Sequence, residues 1–320
     1  MSDLINKGSI DYLHIALGFD ENYIVPIYAL LTSIFHNNRD SAIMFHVIAT
    51  GLNETEKEKI KQYIRRNNAE ISYYTINEEE VRKIVYIPAN THFTIATYYR
   101  LFFPSLIPSD IRKLLYIDSD AIVIGNLQEL YNTDIGNAPI GAATDSGPHP
   151  GEFLGIKGKE NYFNAGVLLI DIRNWKEQMV TENALQFLAD YPEKIKYVDQ
   201  DALNATLINK WFKLDNKYNL TWFDVSLQVP KSELTKDKVI IHYTTPNKPW
   251  HCLARNKLRS FYHHYLKLSP KCGEKKYTDF SFNFKNLYVF ARIRMKEFYF
   301  DHRIDKVIPI KKWMSPSEVY

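Results

Sequence analysis

The chain has 320 residues, 45% of them hydrophobic and 14% aromatic, which is enough to bury a large core. A formal net charge of +3 is too small for a dedicated nucleic-acid binder. Two cysteines, Cys252 and Cys272, with no Cys-x-x-Cys spacing, argue against a disulfide framework and a zinc ribbon and fit a reducing cytosol.

In chain order, residues 1–9 lack the apolar core of a signal peptide. No uninterrupted apolar run reaches the roughly 18 residues of a membrane-spanning helix. Residues 10–17 predict a buried strand and 25–36 a helix with apolar residues on most faces. A second strand is expected over 43–49. A polar helix follows over 53–67, where Asn53 and Glu56 have capping-box spacing, and a third strand over 71–76. Residues 94–103 predict a short aromatic helix stopped at Pro104, and 114–117 a fourth strand. The stretch 147–158 is rich in Gly and Pro and reads as a loop. Strands are expected again over 167–170 and 239–242, and helices over 183–189 and 202–210. This alternation predicts an α/β fold, a mostly parallel sheet with helices on both faces.

The fourth strand runs into Asp118 and Asp120, and the apolar pattern then resumes at Ala121. Ligands of α/β sheets sit beyond the carboxyl ends of strands. In extended backbone, residues two apart point to one side, so the two carboxylates would converge. A hard divalent cation, Mg²⁺ or Mn²⁺, would remove their repulsion. A turn with two solvated aspartates is the plain alternative. Residues 242–251 read His-Tyr-Thr-Thr-Pro-Asn-Lys-Pro-Trp-His after a strand-like run. His242 offers a nitrogen ligand for the same metal, and Lys248 could reach a phosphate.

Six motifs then stand in one order. They are Asp-Glu-Asn-Tyr at 20–23, Thr-Tyr-Tyr-Arg-Leu at 97–101 and Leu-Tyr-Ile-Asp-Ser-Asp at 115–120. Phe-Asn-Ala-Gly-Val-Leu-Leu-Ile follows at 163–170, Asp-Gln-Asp-Ala-Leu-Asn at 199–204, and His-Tyr-x4-Lys-Pro-Trp at 242–250. In these the chain resembles the family 8 retaining glycosyltransferases, especially bacterial lipopolysaccharide α-galactosyl- and α-glucosyltransferases, from about residue 13 to 251.

The resemblance implies a GT-A-type, Rossmann-like catalytic domain over residues 1–270, with a nucleotide-sugar part over about 1–125 and an acceptor part over about 126–270. It implies that Asp118, Asp120 and His242 bind Mn²⁺, or Mg²⁺, which bridges the phosphates of a UDP-hexose, with Lys248 on the same phosphates. Asp20, Asn22 and Tyr23 would hold the uridine, although Asp20 and Asn22 also suit an N-cap. Arg100 would contact donor sugar or phosphate. Asn164, Ala165 and Gly166 would let the sugar approach closely, and Asp145 and Asp199 would bind its hydroxyls. Gln200 would lie near the β-face of the anomeric carbon. An amide oxygen is a poor nucleophile, so a front-face substitution is expected rather than a double displacement. His92 is a further candidate for the donor or acceptor pocket. One departure stands out: the family often has Gly three residues after the late His, and this chain has Thr245.

The implied acceptor is a lipopolysaccharide or lipooligosaccharide core sugar. A nucleotidyltransferase or phosphohydrolase using the same aspartates is the competing enzyme class, and a protein or glycan primer is another acceptor for the same fold. Residues 271–320 form a tail in which large aromatics alternate with Lys and Arg. That composition suits an anionic membrane surface, and hence a cytoplasmic enzyme peripheral to the inner face of the membrane. A C-terminal helix packing its aromatics on the domain is the other reading. No nucleic-acid recognition motif accompanies the tail.

Overall fold

The computed structural model describes residues 11–85, 87, 94–279 and 283–304. Seven strands form the main sheet: β1 (Leu13–Asp20), β2 (Ile43–Thr50), β3 (Ala69–Tyr74), β4 (Lys113–Ile117), β6 (Ile140–Thr144), β7 (Phe163–Asp171) and β8 (Phe212–Leu214). Their order is β3-β2-β1-β4-β7-β6-β8. Only β7 runs against its neighbours, β4 and β6. Two short strands, β5 (Ala121–Val123) and β9 (Ile240–His242), pair antiparallel as a separate ribbon. The sheet is α/β and mostly parallel, as the alternating pattern predicts.

Burial on both faces explains why β1 and β7 read as near-continuous apolar runs. Leu13, Ile15, Leu17 and Phe19 of β1 join the core beneath helix Ile24–Asn37, while Ala16 joins the core on the opposite face. Gly18 faces Tyr99, where an added Cβ would come within 3.1 Å of the tyrosine Cβ. The sheet therefore admits the aromatic segment 95–101 at close range, next to the carboxyl end of β1.

Several boundaries differ from the sequence reading, each for a physical reason. Residues Ile95–Leu101 wind as a 3-10 helix, and a new helix, Phe103–Leu106, follows with Pro104 in its first turn. Proline lacks an N–H that is unpaired at a helix start anyway, so it opens a helix here instead of stopping one. Strand β7 starts at Phe163, which puts Asn164–Gly166 inside a strand. The helix expected over 202–210 starts earlier, at Val198, and brings residues 199–201 into its first turn. Strand β6, Ile-Gly-Ala-Ala-Thr, carries no clear strand signal and is held by pairing with β7 and β8.

Helix Arg259–Leu268 packs on helix Ile24–Asn37. The expected tail boundary near residue 270 falls in a turn, but helix Phe284–Asp301 folds back on the body. Tyr299 and Phe300 are buried. Asp301 pairs with Lys231 at 3.2 Å and Lys257 at 3.1 Å. No described helix is long and apolar enough to cross a membrane.

Candidate active site

Strand β4 delivers the first carboxylate. Asp118 follows it directly and Asp120 leads into β5, so both stand at the carboxyl edge of the parallel strands. The pairing of β5 with β9 sets His242 opposite Ala121. His242 Nε2 lies 3.5 Å from Asp118 Oδ2 and 3.2 Å from Asp120 Oδ1. Asn219 donates to Asn164 Oδ1 at 2.9 Å, which turns its own oxygen to His242 Nδ1 at 3.0 Å. Nδ1 therefore carries a proton for Asn219, and Nε2 is the nitrogen that faces the aspartates.

Three features fit a hard divalent cation at this point. Ligand atoms of Asp118, Asp120 and His242 lie within 4.8 Å of one another. Asp120 Oδ1 is buried and accepts no hydrogen bond. A Cβ on Gly166 would stand 2.1 Å from His242 Cε1 and 2.7 Å from Asp118 Oδ2, so glycine alone keeps the space between the ligands clear. Two carboxylates with one imidazole suit Mn²⁺ and tolerate Mg²⁺.

Cations surround the pair. Lys248 donates to Asp120 Oδ2 and, at 2.8 Å, to Tyr243 O. Burial favours the neutral Asp120 carboxyl, but Lys248 and His242 override it and hold the group well below the usual carboxylate range. Arg100 Nη2 reaches Asp118 Oδ1 at 3.0 Å, and Tyr116 donates to the same oxygen at 2.7 Å. Arg100 also donates to Ala165 O, and its charge lies over the Tyr116 ring at 4.7 Å.

Beside Asp118, Asp120 and His242 lies a network of polar side chains. Gln200 Oε1 accepts from Ala165 N at 2.9 Å, and its amide donates to Asp145 Oδ2 at 3.1 Å. The backbone N–H can only donate, so the Gln200 oxygen is fixed toward Ala165. Asn164 donates to Asp145 Oδ2 at 3.0 Å. Asp201 accepts from Lys196 N and Tyr197 N, both at 2.6 Å, and from Tyr162, so it is fully engaged. Asp199 differs. Arg100 Nε lies 2.7 Å from its Oδ2 but aims its N–H at Thr97 O, and both Asp199 oxygens are buried without a hydrogen bond. Burial, with Asp118 nearby, pushes the Asp199 carboxyl up to about 7 against the pull of Arg100. Val198, just before it, has φ +41°, a left-handed conformation unfavourable for a β-branched residue.

A cavity of about 340 Å³ collects Tyr23, Arg100, Asp118, Asp120, Asp145, Asn164, Asp199, Gln200, His242 and Lys248. Ala165 and Gly166 do not line it; their backbone N–H groups donate to Gln200 Oε1 and Asn164 Oδ1, two side chains that do. Tyr23 meets Trp250 edge-on at 5.8 Å. Asp20 and Asn22 do not line this cavity; Asp20 accepts from Asn22 N at 3.0 Å and caps the turn Glu21–Tyr23. His92 lies outside the described residues. Thr245 has φ +72°, so the loop takes the glycine-type turn with a β-branched residue, at a cost of about 1–3 kcal/mol.

The sequence reading did not single out Tyr116, Asn219, Tyr162 or Phe223. Tyr116 was within reach of it, because period-two alternation puts it on the side of Asp118. Asn219 carries no sequence signal. It arrives through the isolated bridge between Leu220 and Ile241. Phe223 overhangs the cavity, close enough that a Cβ on Gly147 would meet its ring at 2.6 Å.

This sheet and this site define a glycosyltransferase of the GT-A fold, a class that works with a divalent metal and a nucleotide-sugar donor. Residues 14–254 match glycosyl transferase family 8, and the chain belongs to that family. It is 30% identical to a lipopolysaccharide 1,2-glucosyltransferase of Escherichia coli (strain K12) over 282 residues, 83% of this chain and 81% of that protein. It is 27% identical to general stress protein A of Bacillus subtilis over 80% of this chain and 93% of that one. The crystal structure of the galactosyltransferase LgtC, in complex with donor and acceptor sugar analogs, superposes with a TM-score of 0.71 at 25% identity, covering 80% of this chain and 96% of that one.

Two outcomes test the geometry. Gly166→Ala should leave the circular dichroism spectrum unchanged and abolish calorimetric binding of a probe divalent cation, Mn²⁺, at Asp118, Asp120 and His242, because the added methyl fills the space between them. Asp199 binds a proton on folding between its ordinary 3.8 and about 7. The native state holds more protons there than the unfolded chain, so stability falls as pH rises through that window. In EDTA, Asp199→Asn should flatten the decline of Tm between pH 5 and 8; parallel Tm profiles would refute the buried neutral acid.

Proposed function

We propose that the enzyme moves galactose or glucose from a UDP-sugar to a core sugar of lipopolysaccharide or lipooligosaccharide, with retention at the anomeric carbon and an α-linkage, in a Mn²⁺-dependent reaction. The observation that carries the donor reading is the juxtaposition of Asp118, Asp120 and His242 with Lys248 beside a buried polar pocket. The similarity to lipopolysaccharide glucosyl- and galactosyltransferases supports the acceptor.

When bound, the cation supplies Lewis-acid charge to the departing diphosphate. The chain's own residues do the rest. Lys248 leaves Asp120 for the phosphates. Tyr23 offers a face to the uracil, with Asp20 and Asn22 at the turn before it. Arg100 orders Asp118 and the Ala165 carbonyl at the sugar. The two unpaired oxygens of Asp199 meet sugar hydroxyls, accepting from them and, while the carboxyl is protonated, donating through one, and Asp145 holds Asn164 and Gln200 in place. Gln200 presents a dipole, not a free nucleophile, because its oxygen already accepts from Ala165. Asp201 is engaged by three donors. Both facts support front-face substitution, in which the leaving phosphate and the incoming hydroxyl share one side of the sugar. Phe223, exposed beside the cavity, offers an apolar platform to the acceptor ring.

The same proposal places the enzyme at the inner face of the cytoplasmic membrane. The catalytic unit spans about residues 1–270, its first 125 holding the nucleotide sugar, and the tail supplies the anchor. Phe284, Leu287, Tyr288, Met295 and Phe298 are exposed at helical spacing along one face of Phe284–Asp301. Exposed Lys285 lies beside them.

With Mn²⁺ and no acceptor, one UDP-sugar of a panel should release UDP slowly. EDTA or Asp120→Ala should lower that rate at least about 100-fold, as expected for loss of a dominant electrostatic contribution. Release of orthophosphate or pyrophosphate in place of UDP would sink the transferase reading. For the tail, Tyr288→Glu with Phe298→Glu should keep UDP-sugar hydrolysis and weaken co-sedimentation with anionic vesicles several-fold. Unchanged vesicle binding would remove the membrane face.

A further inference from the structure

A second cavity, of about 710 Å³, lies between helices Arg259–Leu268 and Phe284–Asp301, away from the metal ligands. Its lining carries six Lys or Arg side chains against three carboxylates. Two of those carboxylates are already engaged. Asp301 pairs with Lys231 and Lys257, and Glu297 accepts from Arg294 Nη1 at 2.7 Å with Arg259 at 3.7 Å. The third, Glu274, has Lys271 at 3.8 Å, so the lining keeps an excess of positive charge.

Arg294 is the pointed anomaly. Its Nε and Nη2 are buried and, among the described residues, have no acceptor. A buried donor left unpaired is costly, and more so on a charged group. These two N–H groups form the edge that grips a carboxylate or phosphate bidentately. His263 Nε2, on the facing helix, also lacks a partner. Its ring is hydrogen-bonded to the Pro249 backbone, and burial with Lys276 and Arg259 pushes it down to about 4, so it is neutral at pH 7. A neutral ring bonded at one nitrogen offers a lone pair at the other, which suits the hydroxyl of a phosphomonoester. Burial and Arg294 push the Arg259 guanidinium down to about 10, the mark of cations crowded without enough negative charge.

We propose that this cavity binds a phosphoryl anion, held by Arg294 and Lys276 with His263 accepting from its hydroxyl. An anion there relieves the cation crowding and satisfies the unpaired edge of Arg294 by a small side-chain turn. Its size admits a substituted phosphate, beyond a bare ion. Phe298 lines the cavity and lies on the exposed apolar face, so the substituent can be a lipid or a soluble group. The wall residues also hold the segment carrying Lys248: His263 bonds at Pro249, and Arg259 donates to Ala254 O. The site stands apart from the membrane reading, because a soluble phosphoryl ester tests it alone.

The test uses the full chain, with inorganic phosphate and glycerol 3-phosphate in calorimetry and phosphatidic acid vesicles in co-sedimentation. Two variants report on the site: Arg294→Gln, and Lys276→Gln at an exposed position outside the core. Loss of one charge-assisted contact should weaken binding about tenfold. Saturable binding of a soluble phosphoryl species, weakened in both variants, supports the site and names a free ester as its ligand. Binding of vesicles only, weakened in both, supports it with a lipid headgroup as the source. Equal binding of every probe by the wild type and both variants, or no binding at all, overturns it.

Discussion

Asp118 and Asp120 repel each other at the end of a buried strand, and the site is organised around the countercharge they require. At 4 Å, two unit charges at an intermediate effective dielectric interact by about 4 kcal/mol, too much to leave uncompensated in a protein of ordinary stability. Three elements far apart in sequence supply the compensation. The aromatic segment 95–101 brings Arg100 to Asp118, the ribbon β5–β9 brings His242 between the two, and the loop after β9 brings Lys248 to Asp120. The same demand explains Gly166: the convergence that brings charges together leaves no room for a methyl group.

Unfavourable local features gather at this cavity. Val198 and Thr245 are β-branched residues in left-handed backbone, and both line it. Asp199 and Asp120 Oδ1 are buried acceptors without donors. Each costs on the order of 1–3 kcal/mol where it stands. They persist because the surrounding core over-determines the backbone. Strand β7 is buried along its whole length, and β1 is packed on both faces. An arrangement that is poor for stability and rich in unpaired acceptors is what a binding site for a hydroxylated, charged ligand needs before the ligand arrives.

The sequence was legible where a local pattern carried the structure. The run into Asp118 and Asp120 marked a strand end, and period two predicted that the carboxylates converge. His242 and Lys248 were readable because a strand-like run and a proline-containing loop placed them. What was not legible depends on contacts between distant segments. Asn219 orients His242 only because Leu220 bridges to Ile241. Residues 199–201 join a helix only because the turn at Val198 adopts a conformation its side chain disfavours. Pro104 was read as a stop because helix interiors exclude proline, whereas the first turn does not. The Asp20 segment gave two readings, and the structure realises the cap, which does not compete with a uridine contact made by Tyr23.

The tail shows why a mixed pattern can hide two clear ones. A helix with a single apolar face has a strong period, and one with two opposed apolar faces has a weak one. Helix Phe284–Asp301 is of the second kind. Phe300 is buried on the body, while Phe284, Leu287, Tyr288, Met295 and Phe298 stay exposed on the other side. Docking on the domain and contact with a membrane are therefore compatible demands on the same helix. The first fixes its orientation through Asp301 and Glu297, and that orientation turns the second face outward as a rigid surface. A flexible anchor would lose conformational freedom on binding; a face already held by ion pairs loses little.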